Sequence, residues 1–179
     1  GVLQSETAEP SRPGPDEVLV EVEASSLNYR DIAIRAGFYP SRSGVIPLSD
    51  GAGKIVEVGA AVSDLKAGQQ VTSCFYPFWE SGPASATNHR ATLGCDLDGM
   101  LTKFVTLPAT AWIPTPEHMS SLEASTLPCA ALTAWAALFS RGRLLPGQHV
   151  LIQGTGGVAV FAIQFAKAMG ARVTVISSS

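Results

Sequence analysis

The segment HVLIQGTGGVAVFAIQFAKAMGARVTVISSS, residues 149–179, has the pattern of a strand, a glycine-rich turn, a helix and a second strand. The apolar run 150–152 is short, as expected of a strand that is buried on both faces. Six apolar side chains then recur at helical spacing and predict one apolar helix face: Val158, Phe161, Ala162, Phe165, Ala166 and Met169. Gly170 stands where a left-handed helix cap belongs. With a second apolar run at 173–176, the segment predicts one βαβ unit.

The turn after the first strand fits the pattern G-x-G-x-x-(G/A), and its residues are Gly154, Thr155, Gly156, Gly157, Val158 and Ala159. Glycine allows a tight turn and a close approach of the backbone to a pyrophosphate, while a small last residue lets the helix pack on the strand. The unpaired N–H groups of the helix N-terminus can bind the phosphates. A plain α/β turn is the alternative, but the strands and the helix around the motif favour dinucleotide binding. A P-loop is excluded because no Gly-Lys-Ser/Thr follows.

The end of the second strand predicts which dinucleotide binds. NAD-binding forms of this motif usually have an Asp or Glu about 20 residues on, which binds the ribose 2′-hydroxyl. Here the strand is followed by Ser177, Ser178 and Ser179. Hydroxyl groups can donate hydrogen bonds to a 2′-phosphate, which a carboxylate would repel. NADP, as NADPH, is therefore the predicted cofactor, although no Arg or Lys follows that would neutralise the phosphate.

Composition and charge exclude several classes of function. The 179 residues are 46% hydrophobic and 15% charged, with a net charge of −3, which predicts a globular protein and points to neither nucleic acid nor a membrane as a partner. No apolar run approaches the ~20 residues that span a bilayer. The three isolated cysteines, Cys74, Cys95 and Cys129, suit a reducing cytoplasm better than a disulfide framework.

Upstream of the βαβ unit the chain predicts short strands at 17–24, 51–59 and 99–107 and a turn that leads into a strand at 65–75. A loop and short helix are predicted at 25–37. Short strands separated by glycine turns are typical of a small barrel. Residues 120–140 indicate two helices broken near Pro128, with a partial capping pattern that begins at Ser121. The predicted fold class is therefore α/β plus β, with domains at 1–115 and 116–179. A sheet that stops after one βαβ unit leaves open edges, so we expect this sequence to be the N-terminal part of a longer protein.

Five motifs in order resemble the medium-chain dehydrogenase/reductase superfamily: LNYRD at 27–31, GFYP at 37–40, DGAGKIVEVG at 50–59, PCAALTAW at 128–135 and GTGGV at 154–158. The likeness is closest to the zinc-independent branch of quinone oxidoreductases and zinc-type alcohol dehydrogenase-like reductases. The resemblance implies that 1–115 is a GroES-like catalytic domain and that 116–179 begins a Rossmann domain, with the active site between them. It also implies that the full-length protein is a homodimer.

The resemblance implies that no catalytic metal is bound. Zinc-dependent relatives place Cys, His and Cys at the positions of Asn28, Ser49 and Cys129, and only Cys129 remains a ligand of the required kind. The structural zinc lobe of those relatives needs closely spaced cysteines, and this sequence has no C-x-x-C.

The same resemblance supplies candidate site residues. Asn28 is predicted to hydrogen-bond the nicotinamide ribose or the substrate oxygen, and Tyr39 to donate a proton or hydrogen bond to a nascent enolate. Asp31 is predicted to orient Asn28, the alternative being that it only caps the helix or pairs with a neighbouring arginine. Thr133 matches a family position near the nicotinamide.

These observations predict a zinc-independent, NADPH-dependent oxidoreductase that transfers a hydride to a quinone or an α,β-unsaturated carbonyl compound. Two alternatives remain at this point. One is an enoyl-thioester reductase, which requires a groove for a long acyl chain. The other is a catalytically idle NADP-binding subunit with a structural or sensor role.

Overall fold

In the computed structural model, which describes residues 3–89 and 91–178, the alternating segment near the N-terminus forms strand β1, Glu17–Ser26. Val18 and Val20 of this strand are fully buried, as the alternation predicts. Leu19 is buried as well, and the antiparallel pairing of β1 with β2 (Asp50–Val58) shifts register just after it. Such a bulge re-aims side chains locally, which explains why the strict alternation fails at Leu19.

The first unit of the molecule, up to Pro128, is built on an antiparallel sheet of strand order β4-β1-β2-β3-β5. Its remaining strands are β3 (Gln70–Ser73), β4 (Phe104–Pro108) and β5 (Trp112–Pro114), and one 3₁₀ turn, Ala109–Ala111, joins the last two. The core residues from these strands and their loops include Ile55, Val71, Leu93, Met100 and Trp112. The predicted β part of the fold class is confirmed, and its strands pair antiparallel.

Close contact between β1 and β2 depends on a glycine. A Cβ atom on Gly53 would lie 2.0 Å from the carbonyl oxygen of Glu21 on the neighbouring strand. Real Cβ atoms do not approach backbone this closely, so only glycine fits at this position. The DGAGKIVEVG motif therefore has a packing reason as well as a family resemblance.

The described part of the first unit also contains two short α-helices, α1 (Tyr29–Arg35) and α2 (Ser121–Ala124). The cap of α2 is Ser120, whose backbone N–H donates to the Glu123 carboxylate at 2.9 Å while its hydroxyl accepts from the Glu123 N–H. The predicted capping pattern beginning at Ser121 was therefore wrong by one residue, and the true signal was Ser-x-x-Glu. Among the residues that the structure describes, no helix combines the length and apolar character needed to cross a membrane.

The second unit, from Cys129 onward, contains most of a helical stretch that runs from Leu127 to Arg141. Its α-helical centre is α3 (Leu132–Trp135), and wider π-type turns flank it on both sides. The helix break predicted near Pro128 lies at residues 125–126, just after α2, and Pro128 occupies the first turn of the next helical segment. Proline is tolerated there because the first N–H groups of a helix have no partner within the helix.

The predicted βαβ unit is confirmed as β6 (His149–Gln153), α4 (Gly157–Ala168) and β7 (Arg172–Ile176), with the two strands parallel. The buried residues of α4 are Ala159, Ala162 and Ala166. Val158 was expected on the buried face but is 41% exposed. Ala162 and Ala166 are buried as predicted, whereas Ala159 was not assigned to that face. The helix is apolar on more than one side, so the spacing alone did not separate Ala159 from Val158. Phe165 packs edge-on against Trp135 of α3 at 5.6 Å.

Candidate functional site

The start of α1 brings together two of the predicted catalytic residues, Asn28 and Asp31. Asn28 has an extended backbone and precedes the helix, and its N–H donates to Asp31 Oδ2 at 2.7 Å. The side-chain atoms Asn28 Nδ2 and Asp31 Oδ1 are buried and have no hydrogen-bond partner within the described part of the chain. Buried polar atoms are normally paired, and leaving one unpaired costs about 1–3 kcal/mol. One spare donor and one spare acceptor thus lie in the same cap.

Burial raises the pKa of the Asp31 carboxyl above its ordinary value. The Asn28 N–H and the positive charge of Arg30 act against this shift by favouring the carboxylate. Capping, which was the alternative interpretation of Asp31, is therefore observed. Orientation of the Asn28 side chain by Asp31 stays a prediction.

Arg30 ties α1 to two other segments of the first unit. Its guanidinium donates to the Leu93 carbonyl oxygen at 3.1 Å and to Thr92 Oγ1 at 3.2 Å. The same group lies over the ring of Phe75, 4.6 Å from its centroid. Arginine stacks on aromatic rings and holds several acceptors at once, so it fixes the position of α1 relative to these loops.

Tyr39 follows α1 in a loop, and its side chain is 54% exposed. No hydrogen bond or ring contact joins it to Asn28 or Asp31 within residues 3–89 and 91–178. The structure therefore does not place this phenol beside the pair, and its role as a proton donor stays a prediction.

A buried polar group that sequence reasoning missed lies at the start of β2. Ser49 and Asp50 are fully buried, and the Ser49 hydroxyl donates to Asp50 Oδ1 at 2.5 Å. Ser73 Oγ accepts from the Gly51 N–H at 3.0 Å and donates to the Ser49 carbonyl oxygen at 3.3 Å. The family resemblance singled out Ser49 only as the place of a lost zinc ligand. The signal for Asp50 was an acidic residue at the head of an apolar, glycine-bounded strand.

The side chains of Asn28 and Ser49 are not suitable ligands for a catalytic zinc ion. Zinc takes thiolate, imidazole or carboxylate ligands, whereas Asn28 offers an amide and the Ser49 hydroxyl is already engaged with Asp50. The described residues also contain no group of three or more His, Cys, Asp and Glu side chains arranged to hold a metal ion. No step of the proposed chemistry is therefore assigned to zinc.

In the second unit, the turn between β6 and α4 has the geometry that a dinucleotide motif requires. Gly154 has a φ of +87°, and its N–H donates to the Ile176 carbonyl oxygen at 2.7 Å. Gly156 is the N-cap of α4, and no side chain caps the helix there. Apart from Gly156 itself and its two neighbours in the chain, no described residue has a heavy atom within 4 Å of the position that a Cβ atom on Gly156 would take. The first N–H groups of α4 thus border open space, as a phosphate-binding turn requires.

The other residues predicted to bind the cofactor lie in this turn, after β7 or on α3. Thr155, Gly156, Gly157 and Val158 are exposed. Ser177 and Ser178 are exposed too, and they follow β7 at the same strand end as the turn, because Gln153 pairs with Ile176. Ser179 lies outside the described residues. Thr133 is exposed on α3, and Ala130, just before that helix, would lie 3.4 Å from a Cβ atom on Gly157.

Comparison with known proteins identifies the first unit. Residues 14–117 match the family model of the alcohol dehydrogenase GroES-like domain. A zinc-type alcohol dehydrogenase-like protein of Schizosaccharomyces pombe is 46% identical over 175 residues, which cover 95% of this chain and 50% of that protein. An acryloyl-coenzyme A reductase of Metallosphaera sedula is 31% identical, covering 94% of this chain and 53% of its own.

Solved structures agree with this assignment. A crystal structure assigned as an alcohol dehydrogenase of Sinorhizobium meliloti superposes with a TM-score of 0.88 at 41% identity, covering 94% of this chain and 51% of the other. A quinone oxidoreductase of Pseudomonas syringae superposes with a TM-score of 0.76 at 29% identity, with coverages of 97% and 48%. The chain spans about half the length of the curated relatives it matches.

Proposed function

This chain belongs to the medium-chain dehydrogenase/reductase superfamily through its alcohol dehydrogenase GroES-like domain, and from that premise we propose that it serves an NADPH-dependent reductase of quinones or α,β-unsaturated carbonyl compounds that works without zinc. The observation that carries the proposal is the turn at Gly156. It combines an uncapped helix N-terminus with free space where a side chain would otherwise be. A diphosphate is the ligand that such a turn binds best.

When bound, NADPH would supply a hydride, and with it two electrons, to the β-carbon of the substrate's conjugated carbonyl group. The proton that completes the reduced product would come from the Tyr39 phenol or from solvent water. Asn28 Nδ2 is the donor that we assign to the substrate oxygen or to the cofactor ribose, because it is the unpaired donor at the start of α1. Asp31 holds the backbone of Asn28 by accepting its N–H. To the Tyr39 phenol we assign a hydrogen bond or a proton for the nascent enolate oxygen. Hydrogen bonds of this kind stabilise negative charge that develops on an oxygen.

The choice of NADPH over NADH rests on Ser177 and Ser178. Both are exposed at the end of β7, where an acidic residue would select NAD. Two hydroxyl groups can donate to a 2′-phosphate, so we expect tighter binding of NADPH than of NADH. Replacing Ser177 by Asp should reverse this preference, and isothermal titration with both coenzymes measures it.

The decisive experiment replaces Gly156 by alanine. Its φ of −74° suits alanine and the space is open, so the variant should keep the stability of the parent chain. The new methyl group would occupy the space assigned to the diphosphate, and NADPH binding should weaken at least about tenfold. Gln164→Ala, on an exposed position of the same helix, is the matched control and should bind as the parent does. Unchanged NADPH affinity in Gly156→Ala, or no NADPH binding by the parent chain, would refute the proposal.

An enoyl-thioester reductase is the second candidate. It is favoured by the likeness to the protein from M. sedula, which is an acryloyl-coenzyme A reductase. Rates of NADPH oxidation with acryloyl-CoA, crotonyl-CoA and a tetramethylquinone would separate the two. Turnover of the thioesters alone would select this candidate over the quinone reductase.

A further inference from the structure

Tyr39 lies just after the C-terminal cap of α1. The helix ends in a Schellman motif, in which Gly37 has a φ of +82° and the Phe38 N–H donates to the Ala33 carbonyl oxygen at 2.9 Å. In the same motif the Gly37 N–H donates to the Ile34 carbonyl oxygen at 2.9 Å. The backbone therefore leaves α1 in a fixed direction up to the residue before Tyr39.

The residue after Tyr39 is held by a buried cysteine. The thiol of Cys95 donates to the Pro40 carbonyl oxygen, with the sulfur and the oxygen 3.2 Å apart. The Cys95 carbonyl oxygen accepts from the Arg42 N–H at 3.0 Å. Because proline also restricts its own φ, the backbone is constrained on both sides of Tyr39, by the helix cap before it and by Cys95 after it.

Cys95 is buried outside the hydrophobic core of the first unit. Its exposed fraction is 6%, yet it is not a member of the core cluster. It lies in a tight turn, residues 92–97, where the Thr92 N–H donates to Asp96 Oδ2 at 2.8 Å and the Asp96 N–H donates to the Thr92 carbonyl oxygen at 3.1 Å. This thiol therefore has a polar partner and a framed position, which filling the core would not require.

Two further links join this turn to the elements that carry the candidate site. From α1, Arg30 donates to Thr92 Oγ1 at 3.2 Å. Asp98, which follows the turn, accepts from the Ile46 N–H at 2.9 Å in the loop that carries Tyr39. The turn therefore connects the helix whose first residues hold the unpaired polar atoms with the loop of the phenol.

We propose that Cys95 is a positioning residue for the Tyr39 phenol: its thiol fixes the Pro40 carbonyl group, and with it the backbone from which the phenol reaches the substrate oxygen. This inference rests on the proposed function, in which Tyr39 supplies a hydrogen bond or a proton. A proton donor acts only within hydrogen-bond reach of its acceptor, and a displacement of about 1 Å can cost about a hundredfold in rate. The thiol itself forms and breaks no covalent bond in this role.

The first test observes Tyr39 without any coenzyme, so its outcome does not depend on NADPH binding. The chain has three tyrosines, and labelling with 3-fluorotyrosine gives one ¹⁹F resonance for each. Tyr39→Phe identifies the resonance of Tyr39 by its loss. In Cys95→Ala this resonance should move towards that of free 3-fluorotyrosine, because the backbone after Tyr39 loses its hydrogen bond. Cys95→Ser keeps a donor and should restore the parental resonance.

Two more variants separate the hydrogen bond from packing. Cys95→Val fills the space of the thiol without supplying a donor and should behave as Cys95→Ala does. Cys74→Ala removes a thiol elsewhere in the first unit, just after β3, and should leave the Tyr39 resonance unchanged. A parental Tyr39 resonance in Cys95→Ala or in Cys95→Val would overturn the proposal.

The second test asks whether Cys95 acts through the phenol. With the fastest of the three substrates named above, Cys95→Ala should lower kcat about tenfold and leave KM for NADPH unchanged, and Cys95→Ser should recover most of the loss. The double variant Cys95→Ala/Tyr39→Phe should be no slower than Tyr39→Phe alone, because no phenol is left to position. An equal loss in both backgrounds would show a merely structural cysteine and overturn the proposal. If the parent chain turned over none of the substrates, the proposed function would fall, and the ¹⁹F comparison would still decide whether Cys95 fixes Tyr39.

Discussion

At the scale of single residues, Asp31 gives the chain a specific dependence of stability on pH. Burial raises the pKa of this carboxyl in the folded state above 3.8, its ordinary value. Between the pKa of the unfolded state and that of the folded state, the folded chain therefore binds more protons than the unfolded chain. Its contribution therefore favours folding at low pH and is lost as the pH rises through the folded pKa.

Asp31→Asn should remove this dependence, because an amide does not ionise. We expect the difference in free energy of unfolding, variant minus parent, to increase as the pH rises from about 4 to 7. Urea unfolding at several pH values measures the difference. Asp64→Asn, an exposed loop position, is the control, and its difference from the parent should stay constant. A constant difference for Asp31→Asn would contradict the expectation.

Cys74 offers a second test at this scale. Desolvation by burial raises the pKa of its thiol to about 11, from an ordinary value of 9.0. At about pH 8 its thiolate population, and hence its alkylation rate, should be about a hundredfold below that of an ordinary cysteine. Mass spectrometry after a short pulse of iodoacetamide reads this rate, and the same chain in denaturant supplies the reference. Modification of Cys74 at the reference rate in the folded chain would disagree with its burial.

At the scale of secondary-structure elements, the pairing of β1 with β2 predicts an intolerant position. Gly53→Ala would place a Cβ atom 2.0 Å from the Glu21 carbonyl oxygen, and neither strand can move without breaking the sheet. We expect a loss of stability of about 2 kcal/mol or more. Lys54→Ala, the exposed neighbour on the same strand, should cost far less. Thermal unfolding of the two variants makes the comparison, and equal midpoints would contradict it.

Elements with a strong local signal could be predicted from the sequence. The strand at β1 followed from the alternation of valines, and the βαβ unit followed from Gly154, Gly156 and Gly170. The buried face of α4 was predicted only in part: Ala162 and Ala166 were placed on it, but Val158 was placed there in error and Ala159 was left out. Tertiary packing decides which of the alanines and valines of α4 are buried, and the spacing of apolar residues in the sequence does not contain this information.

The candidate site was predictable to a similar degree. The LNYRD motif indicated Asn28 and Asp31, and the structure pairs them in one helix cap. The hydrogen bond between Ser49 and Asp50 and the ring contacts within residues 75–89 were missed. Their partners, Ser73 for the first and Arg30 for the second, lie more than twenty residues away in the sequence. Contacts of this range form only when the sheet brings distant loops together.

At the scale of the whole molecule, the two units differ in how much core supports them. The cluster of the first unit contains twelve buried residues, and that of the second contains four: Ala134, Ile152, Ala159 and Ala162. The strands β6 and β7 pair with each other, and Leu151 and Ile176 are exposed. Because regions with few buried apolar contacts open most easily, the second unit should be the less stable of the two.

Hydrogen exchange followed by mass spectrometry tests this difference and its link to the cofactor. In the free chain, amides of β1 and β2 should exchange more slowly than those of β6 and β7, because they are covered by the larger core. A ligand that binds only the folded state adds stability by mass action, so saturating NADPH should slow exchange in β6, the turn at Gly154–Gly157 and the first turn of α4. It should do so much less in Gly156→Ala, whose methyl group fills the space assigned to the diphosphate. Slower exchange in the first unit alone would mean that NADPH binds elsewhere, and the assignment of the turn would fall.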